Sequence, residues 1–387
     1  MINGKKLIEI RKVGFVNKGA ELMLFAVLEK MKQEFPDAEF TMAPSVSTAS
    51  APYLKRAELH FYQKAHLWRK GFQFGVLANL IPEKIRDMYG IVLDKEVDIV
   101  IDAAGFSYSD QWGKYSCLEL ADSCKHWKKN GTKVILLPQA FGPYKSKWNQ
   151  KAIKTALEHA DLVFAREKMS YDYLVDVVGE RQNLKVAPDF TNLIEGIVPE
   201  NFDKESNRFC IVPNYRMVDK TNKKDSEAYL PFMIEVTRYA YEKSQKPFIL
   251  VHEGANDLML AEKIRDAVSR DVQIIKEAHP LKIKGILGVS SGTVGSRFHG
   301  LVSALSQGTP ALATGWSHKY KVLFEDYDFP EGLLNVHMPK EELHKIMNLI
   351  IDDENKEKVT KTIQKNSEAL KQQSQKMWDD VLTVLKS

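Results

Sequence analysis

Short, nearly continuous apolar runs alternate along this chain with longer stretches whose apolar residues recur every three or four positions. The runs fall at residues 97–101, 133–137, 162–165, 209–212 and 248–251, and residues 6–15, where four charges interrupt the apolar residues, read as a first strand. Strands buried on both faces read this way, because a parallel sheet covered by helices leaves neither side in water. The stretches 22–33 and 114–129 have helical spacing, and strands separated by helices predict doubly wound α/β sheets. The clearest unit begins at Thr293-Val294, a short strand signal that leads into Gly295-Ser296-Arg297-Phe298-His299. Phe298, Leu301, Val302 and Leu305 recur at i, i+3, i+4 and i+7, so a helix with one buried face is predicted. Ser296 is the expected N-cap, Gly308 the stop and Pro310 the bar to restarting, and 311–314 returns as a strand.

The chemistry of this unit lies in Arg297 and His299, which flank Phe298 and are expected to leave the first turn sideways. A helix N-terminus has unpaired N–H groups and partial positive charge; a forked guanidinium and an imidazole beside it suit a phosphate or carboxylate. Taken alone, the same pair also fits a surface arginine and a half-buried histidine. Strand 209–212 leads into Pro213-Asn214-Tyr215-Arg216, and strand 248–251 into His252-Glu253-Gly254. In a doubly wound sheet Arg216 and His252 would converge with Arg297 and His299 at successive strand ends. Core packing does not require that pattern, and an anionic ligand would use it.

Nearer the start, strand 97–101 opens into Asp102-Ala103-Ala104-Gly105, with Asp110 beyond. Small residues at a strand's carboxyl end let a ligand approach the backbone. Asp110 could bind a sugar hydroxyl, act as a base or close an Asx turn. The first strand–helix turn, residues 16–21, lacks the GxGxxG of a dinucleotide site. Glu21 there fits either a helix-dipole partner or a catalytic carboxylate.

Length adds a boundary. With 387 residues the chain exceeds one ordinary core, so two domains are expected, 1–194 and 208–338, joined by the polar, turn-rich linker 195–207 and followed by helices over 339–387. The composition, 44% hydrophobic and 27% charged, is that of a globular protein, and a net charge of +4 is too weak to indicate nucleic acid. Cys117, Cys124 and Cys210 have no metal-type spacing and are odd in number, which points to a reducing, cytoplasmic setting without disulfides. The N-terminus has no apolar core ahead of a cleavage site, and no run of 18 uncharged apolar residues occurs, so neither a signal peptide nor a spanning helix is expected. Residues 52–74 interleave Lys55, Arg56, Lys64, Arg69 and Lys70 with six aromatics around a single acid, Glu58. The segment suits an anionic bilayer or a glycan acceptor, or else is an amphipathic helical pair with a solvated basic face.

Several of these segments together resemble the polysaccharide pyruvyl transferase family. The family's strand–S-R-[LF]-H block, later G-x-P and K-Y are here Ser296, Arg297, Phe298, His299, Gly308, Pro310, Lys319 and Tyr320. Its opening N-x-G-D-E is matched by Asn17, Gly19 and Glu21, with Ala20 in place of the aspartate. Gly105 and Asp110 match part of a glycine-rich segment. Pro138-Gln139-Ala140-Phe141-Gly142-Pro143 is similar to P-Q-S-[IF]-G-P, Arg166-Glu167 with Ser170 to R-E-x-x-S, and Ala187-Pro188-Asp189 to A-P-D.

The resemblance implies two Rossmann-like domains facing one another across a cleft, as in GT-B glycosyltransferases. The first would be the acceptor side and the second the donor side, with the C-terminal helices packing back on the first domain. It implies transfer of the pyruvyl group of phosphoenolpyruvate to two hydroxyls of one sugar in a polysaccharide or its precursor, giving a pyruvate ketal and phosphate. No metal or organic cofactor is expected, phosphoenolpyruvate being a co-substrate. In that scheme Ser296, Arg297, Arg216, Asn214, His252 and Lys319 bind the donor. His299 is the acid, Asp110 or Glu21 the base, and Asn17, Gly19, Gly105, Gln139 and Gly142 line the cleft on the acceptor side. The partners would be phosphoenolpyruvate and a glycan or lipid-linked sugar, with peripheral contact at the inner membrane face through 52–74 and no nucleic acid. Two alternatives remain open: a GT-B glycosyltransferase using a nucleotide sugar, and a non-catalytic glycan-binding protein.

Overall fold

The computed structural model describes residues 4–44, 53–315 and 319–387. The chain divides into two compact units, one of residues 1–190 with 373–387, the other of residues 191–372.

The first unit is built on β1 (Leu7–Arg11), β2 (Glu39–Met42), β3 (Tyr62–Lys64), the small hairpin β4 (Trp68–Arg69) and β5 (Phe72–Gln73), β6 (Ile91–Val92), β7 (Ile99–Asp102), β8 (Phe106–Tyr108), β9 (Lys133–Phe141), β10 (Leu162–Ala165) and β11 (Leu184–Val186). Outside the hairpin every pairing is parallel, and the sheet runs β11-β10-β9-β7-β1-β2-β3-β6, with β8 added on β9. The order reverses between β1 and β7, which pair Arg11 opposite Asp102 at their carboxyl ends. That switch point is where open α/β sheets bind ligands.

Charges fill this switch point. Arg11 Nε lies 2.9 Å from Asp102 Oδ2, and its Nη2 is 2.7 Å from Glu119 on the helix Lys114–Lys129. Lys64, on β3, bonds Glu9 and reaches Asp94 at 2.5 Å. Buried charges survive only when paired this closely. Burial alone would raise the Glu119 carboxyl, but Arg11 and Lys12 outweigh it and hold it well below the ordinary range. His66 completes the group. Gln73 Oε1 accepts from the Leu67 and Gly75 N–H groups, so its amide nitrogen must donate to His66 Nδ1 at 2.6 Å.

The second unit has β12 (Phe209–Val212), β13 (Pro247–Val251), β14 (Gln273–Lys276), β15 (Gly292–Gly295) and β16 (Ala311–Ala313), all parallel in the order β14-β13-β12-β15-β16. Its switch point falls between β12 and β15, where Val212 pairs with Gly295. Phe298, Leu301, Val302 and Leu305 of the following helix are all buried.

Three expectations change. Residues 195–207 are part of the second unit rather than a free linker: Ile197 N–H donates to Leu281 O, Gly196 lies against Gly285 so closely that a Cβ would clash, and Phe202 meets Phe248 edge-on at 5.6 Å. The C-terminal helices belong mostly to the second unit, because Leu343, Met347, Ile350, Ile363 and Leu370 complete its core. Only residues 373–387 join the first, where Trp378 meets Phe190 edge-on and Asp380 pairs with Lys185. The described part of segment 52–90 is no helical pair. It is a short helix Tyr53–Glu58, β3, the hairpin, a 3-10 helix Phe74–Leu80 and the helix Glu83–Met88.

Burial, reinforced by Lys64 and Arg11, lowers the His66 pKa to about 4. An unfolded histidine titrates near 6.5, so the folded first unit loses stability as pH falls from about 6.5 to 4, by on the order of 2–3 kcal/mol. Unfolding followed against pH should show a shallower decline over this window in His66→Gln than in the wild type. Equal slopes would remove His66 from the account.

Candidate functional site

In the second unit the ends of the central strands gather one polar cluster. Its centre is Asp257, fully buried in the first turn of the helix Gly254–Val268. Asp257 accepts from Tyr215 N–H at 2.9 Å, from Glu253 N–H at 3.1 Å, and from Arg297 through Nε at 2.9 Å and Nη2 at 2.6 Å. Arg297 Nη1 turns to Glu253. Loops after β12, β13 and β15 are thus tied together by one carboxylate and one guanidinium. Burial opposes the charge on Arg297, but Asp257 and Glu253 more than offset it and raise its pKa.

A second layer orients the β15 loop. Asn214 Nδ2 donates to Ser296 O at 2.6 Å, and Tyr320 OH to the same carbonyl at 2.8 Å. Tyr229 OH donates to Ser296 Oγ at 2.9 Å, which in turn bonds Thr314 Oγ1 at 2.7 Å. Burial pushes the Tyr229 phenol up to about 12, so it stays a donor.

This geometry corrects the role expected of Ser296. It is fully buried, and Arg297 takes the N-cap position of the helix Phe298–Leu305 without a side-chain cap bond. Arg297 is likewise no exposed clamp: its side chain is only 10% accessible and already holds two carboxylates. Arg216 lies at the surface, paired with Asp219 of its own short helix at 2.5 Å, because its position in Arg216–Asp219 aims it along that helix. His252 is buried beside the first turn of the same helix: a Cβ placed on Gly300 would sit 3.6 Å from His252 Cδ2 and 3.5 Å from Arg297 Cβ. His299 is half-buried at the start of the same helix, its ring edge-on to Phe298. Lys319 Nζ stands 4.8 Å over the Phe298 ring. Beside Thr314 opens a cavity of about 540 Å³, lined by Met217, Asn222, Asp225, Gly315, Leu334 and His337.

The residues expected on the acceptor side all lie in the first unit, and most serve its scaffold. Asn17 Oδ1 caps the helix Lys18–Glu34 by accepting from Gly19 and Ala20 N–H. Glu21 is buried in that first turn and bonded to Lys18 at 2.5 Å. Asp110, expected as a base or sugar ligand, caps another helix, Lys147–His159: it accepts from Lys145 N–H, Ser146 N–H and Asn149 Nδ2. Burial pushes its carboxyl up, but these three bonds prevail and lower its pKa. Gln139 is buried and donates to Asp102 Oδ1, while the Gly105 carbonyl accepts from Ala140 N–H. Gly142 has φ +70° and lies so near the Tyr173 ring that a side chain has no room. Arg166 ties the ends of β10 and β11 through Asp189 at 3.3 Å.

Asp257, Glu253, Tyr229 and Thr314 were not singled out from the sequence. An acid in a helix's first turn is ordinary on its own; only the fold shows that Arg297, forty residues later, needs it. Asp257→Ala would strand the buried guanidinium, at a cost of about 3–5 kcal/mol. A thermal midpoint lowered by several degrees is expected, and one equal to the wild type would show that Glu253 alone satisfies Arg297.

Solved structures with the same arrangement of elements include UDP-GlcNAc 2-epimerase from Neisseria meningitidis bound to UDP-GlcNAc, 10% identical with a TM-score of 0.58 over 98% of this chain and 100% of that one. Anabaena HepE in complex with UDP-glucose is 13% identical, with a TM-score of 0.54 over 97% and 99%. A putative UDP-N-acetylglucosamine 2-epimerase from Listeria monocytogenes is 12% identical, with a TM-score of 0.54 over 94% and 91%. At such identities the likeness is one of fold, that of GT-B-type enzymes. The family model of polysaccharide pyruvyl transferases matches residues 17–318, and the motifs from Asn17 to Pro310 fall within that span; this chain is a member of the polysaccharide pyruvyl transferase family.

Proposed function

We propose that the protein transfers the pyruvyl group of phosphoenolpyruvate to two hydroxyls of one sugar residue, making a cyclic ketal. The observation that carries the proposal is the gathering of Arg297, His252, His299 and Lys319 around one helix N-terminus in a member of this family. Phosphoenolpyruvate has a phosphate and a carboxylate, which a helix N-terminus and cationic side chains suit.

In the proposed sequence His299 protonates the methylene carbon, leaving an oxocarbenium-like centre at the carbon that bears the phosphate. One sugar hydroxyl bonds to that carbon and gives its proton to the ring nitrogen of His299 that was vacated in the first step, restoring the acid. The second hydroxyl then forms the other C–O bond as the C–O bond to phosphate breaks, its proton leaving with the phosphate. Asp110 and Glu21 are engaged as helix cap and lysine partner and are not assigned as the base. Glu253 holds Arg297 Nη1 until the donor's anionic groups take its place.

A nucleotide-sugar transferase is the second reading, favoured by one observation. The 540 Å³ cavity has the size of a ligand site, and Asn222 and Asp225 on its wall could hold a ribose diol. The structural neighbours crystallised with UDP-sugars point the same way.

Thermal stabilisation by phosphoenolpyruvate, against UDP-glucose and ADP-glucose, separates the readings, since a ligand bound only to the folded state raises its midpoint. Stabilisation by phosphoenolpyruvate alone is expected, and by a nucleotide sugar alone would favour the second reading. His299→Gln should lower turnover by roughly 10²-fold or more if it is the acid; unchanged turnover and unchanged donor affinity would dismiss it. Glu253→Gln, which removes a competing charge, should tighten phosphoenolpyruvate binding by roughly tenfold, or about 1.4 kcal/mol. Weaker binding would show Glu253 to be a positioning residue instead.

A further inference from the structure

Between Glu58 and Glu83 the chain has no acid, yet it carries Lys64, Arg69 and Lys70 among many apolar residues. Lys64 is buried in the switch-point network; Arg69 and Lys70 are exposed. They stand at the tip of the β4–β5 hairpin, whose two turn residues, Lys70 and Gly71, both have positive φ.

Around that tip lies a ledge of large apolar side chains in solvent. Phe72 is 68% exposed and its ring lies 6.3 Å from that of Phe74. The 3-10 helix Phe74–Leu80 has no buried residue; Leu77 is 62% and Leu80 83% exposed. Ile85, Met88 and Tyr89 continue the exposed apolar series on the next helix, alongside the exposed Glu83, Lys84 and Asp87.

The inner side of the ledge is firmly held. Gln73 bonds Leu67 N–H, Gly75 N–H and His66, and Trp68 Nε1 donates to Asp122 on the helix Lys114–Lys129. Gly75 is pressed on the Ala65 carbonyl with no room for a Cβ. Beneath, a cavity of about 230 Å³ is lined by Gln73, Asn79, Asp94, Asp122 and His126. The neutral polar groups Gln73 and His66 thus face inward, while the basic tip and the large apolar side chains face outward, an apolar exposure unusual for a loop on a globular surface.

We infer that this ledge docks the protein on an anionic lipid surface. Charge selects that occupant: apolar side chains able to enter the acyl boundary surround a basic tip, and from residue 59 to 82 no carboxylate opposes a layer of anionic headgroups. No helix among the described residues is long and apolar enough to cross a membrane, so attachment would be peripheral. The inference does not depend on the donor chemistry proposed above.

The test is flotation of the full chain with vesicles of phosphatidylcholine alone and with a third phosphatidylglycerol, beside light scattering without lipid. The wild type should float with the anionic vesicles, and raised salt should release it. Phe72→Asp, Leu77→Asp and Leu80→Asp together should abolish flotation while the circular dichroism and melting point are kept. Arg69→Ser with Lys70→Ser, which leaves the apolar ledge intact, should weaken it roughly fivefold per base removed. The inference is overturned if the wild type does not float with anionic vesicles, or if the triple variant floats as well as the wild type. It is also overturned if the wild type is a dimer that the triple variant converts to monomer without binding lipid, which would make a second copy the occupant.

Discussion

A guanidinium buried away from water is tolerable only beside carboxylates, and in the second unit that requirement joins Arg297 to Asp257 and Glu253. Asp257 also accepts two backbone N–H groups, so the same carboxylate fixes the loops after β12 and β13 as well as the arginine after β15. Arg297 is at the same time the N-cap residue of the next helix. The start of that helix, and with it His299 and the ring of Phe298 under Lys319, takes its place from the ion pair.

The two units solve a shared problem differently. Each sheet reverses its order beside its first strand, and such reversals leave an opening at the strand ends. In the first unit Arg11, Asp102, Glu119, Lys64 and Glu9 close it with paired charges, and Trp127 covers both cations with its ring. In the second, the ion pair lies to one side, and hydroxyls and amides of Asn214, Tyr229, Ser296 and Thr314 occupy the rest beside an open cavity. Neutral donors hold a loop in shape without filling the site with opposing charge.

Much of the fold was legible. The run Phe209–Val212 and the run Leu162–Ala165 are strands with the boundaries the apolar pattern gives, because a strand buried on both faces has little freedom in composition. Phe298, Leu301, Val302 and Leu305 are buried as their helical spacing predicts, but so is every other residue of that helix except His299, so the single buried face read from the spacing is a helix buried almost all round. The stretch 53–90 was not legible, since its apolar residues have no period to follow and many face outward.

The site divides along the same line. Sequence by itself determined which strands end in polar loops, and that Arg216, His252, Arg297 and His299 follow strand signals of the second domain, because strand signals and side-chain type are local properties. Tertiary structure decided what each group is bonded to. Whether Asp110 caps a helix or faces solvent depends on Lys145, Ser146 and Asn149, more than thirty residues away. Whether Arg297 is bare or saturated depends on Asp257, forty residues before it. A charged side chain's role follows from its nearest opposite charge, and that distance is set by the packing of strands and helices, which no local stretch of sequence contains.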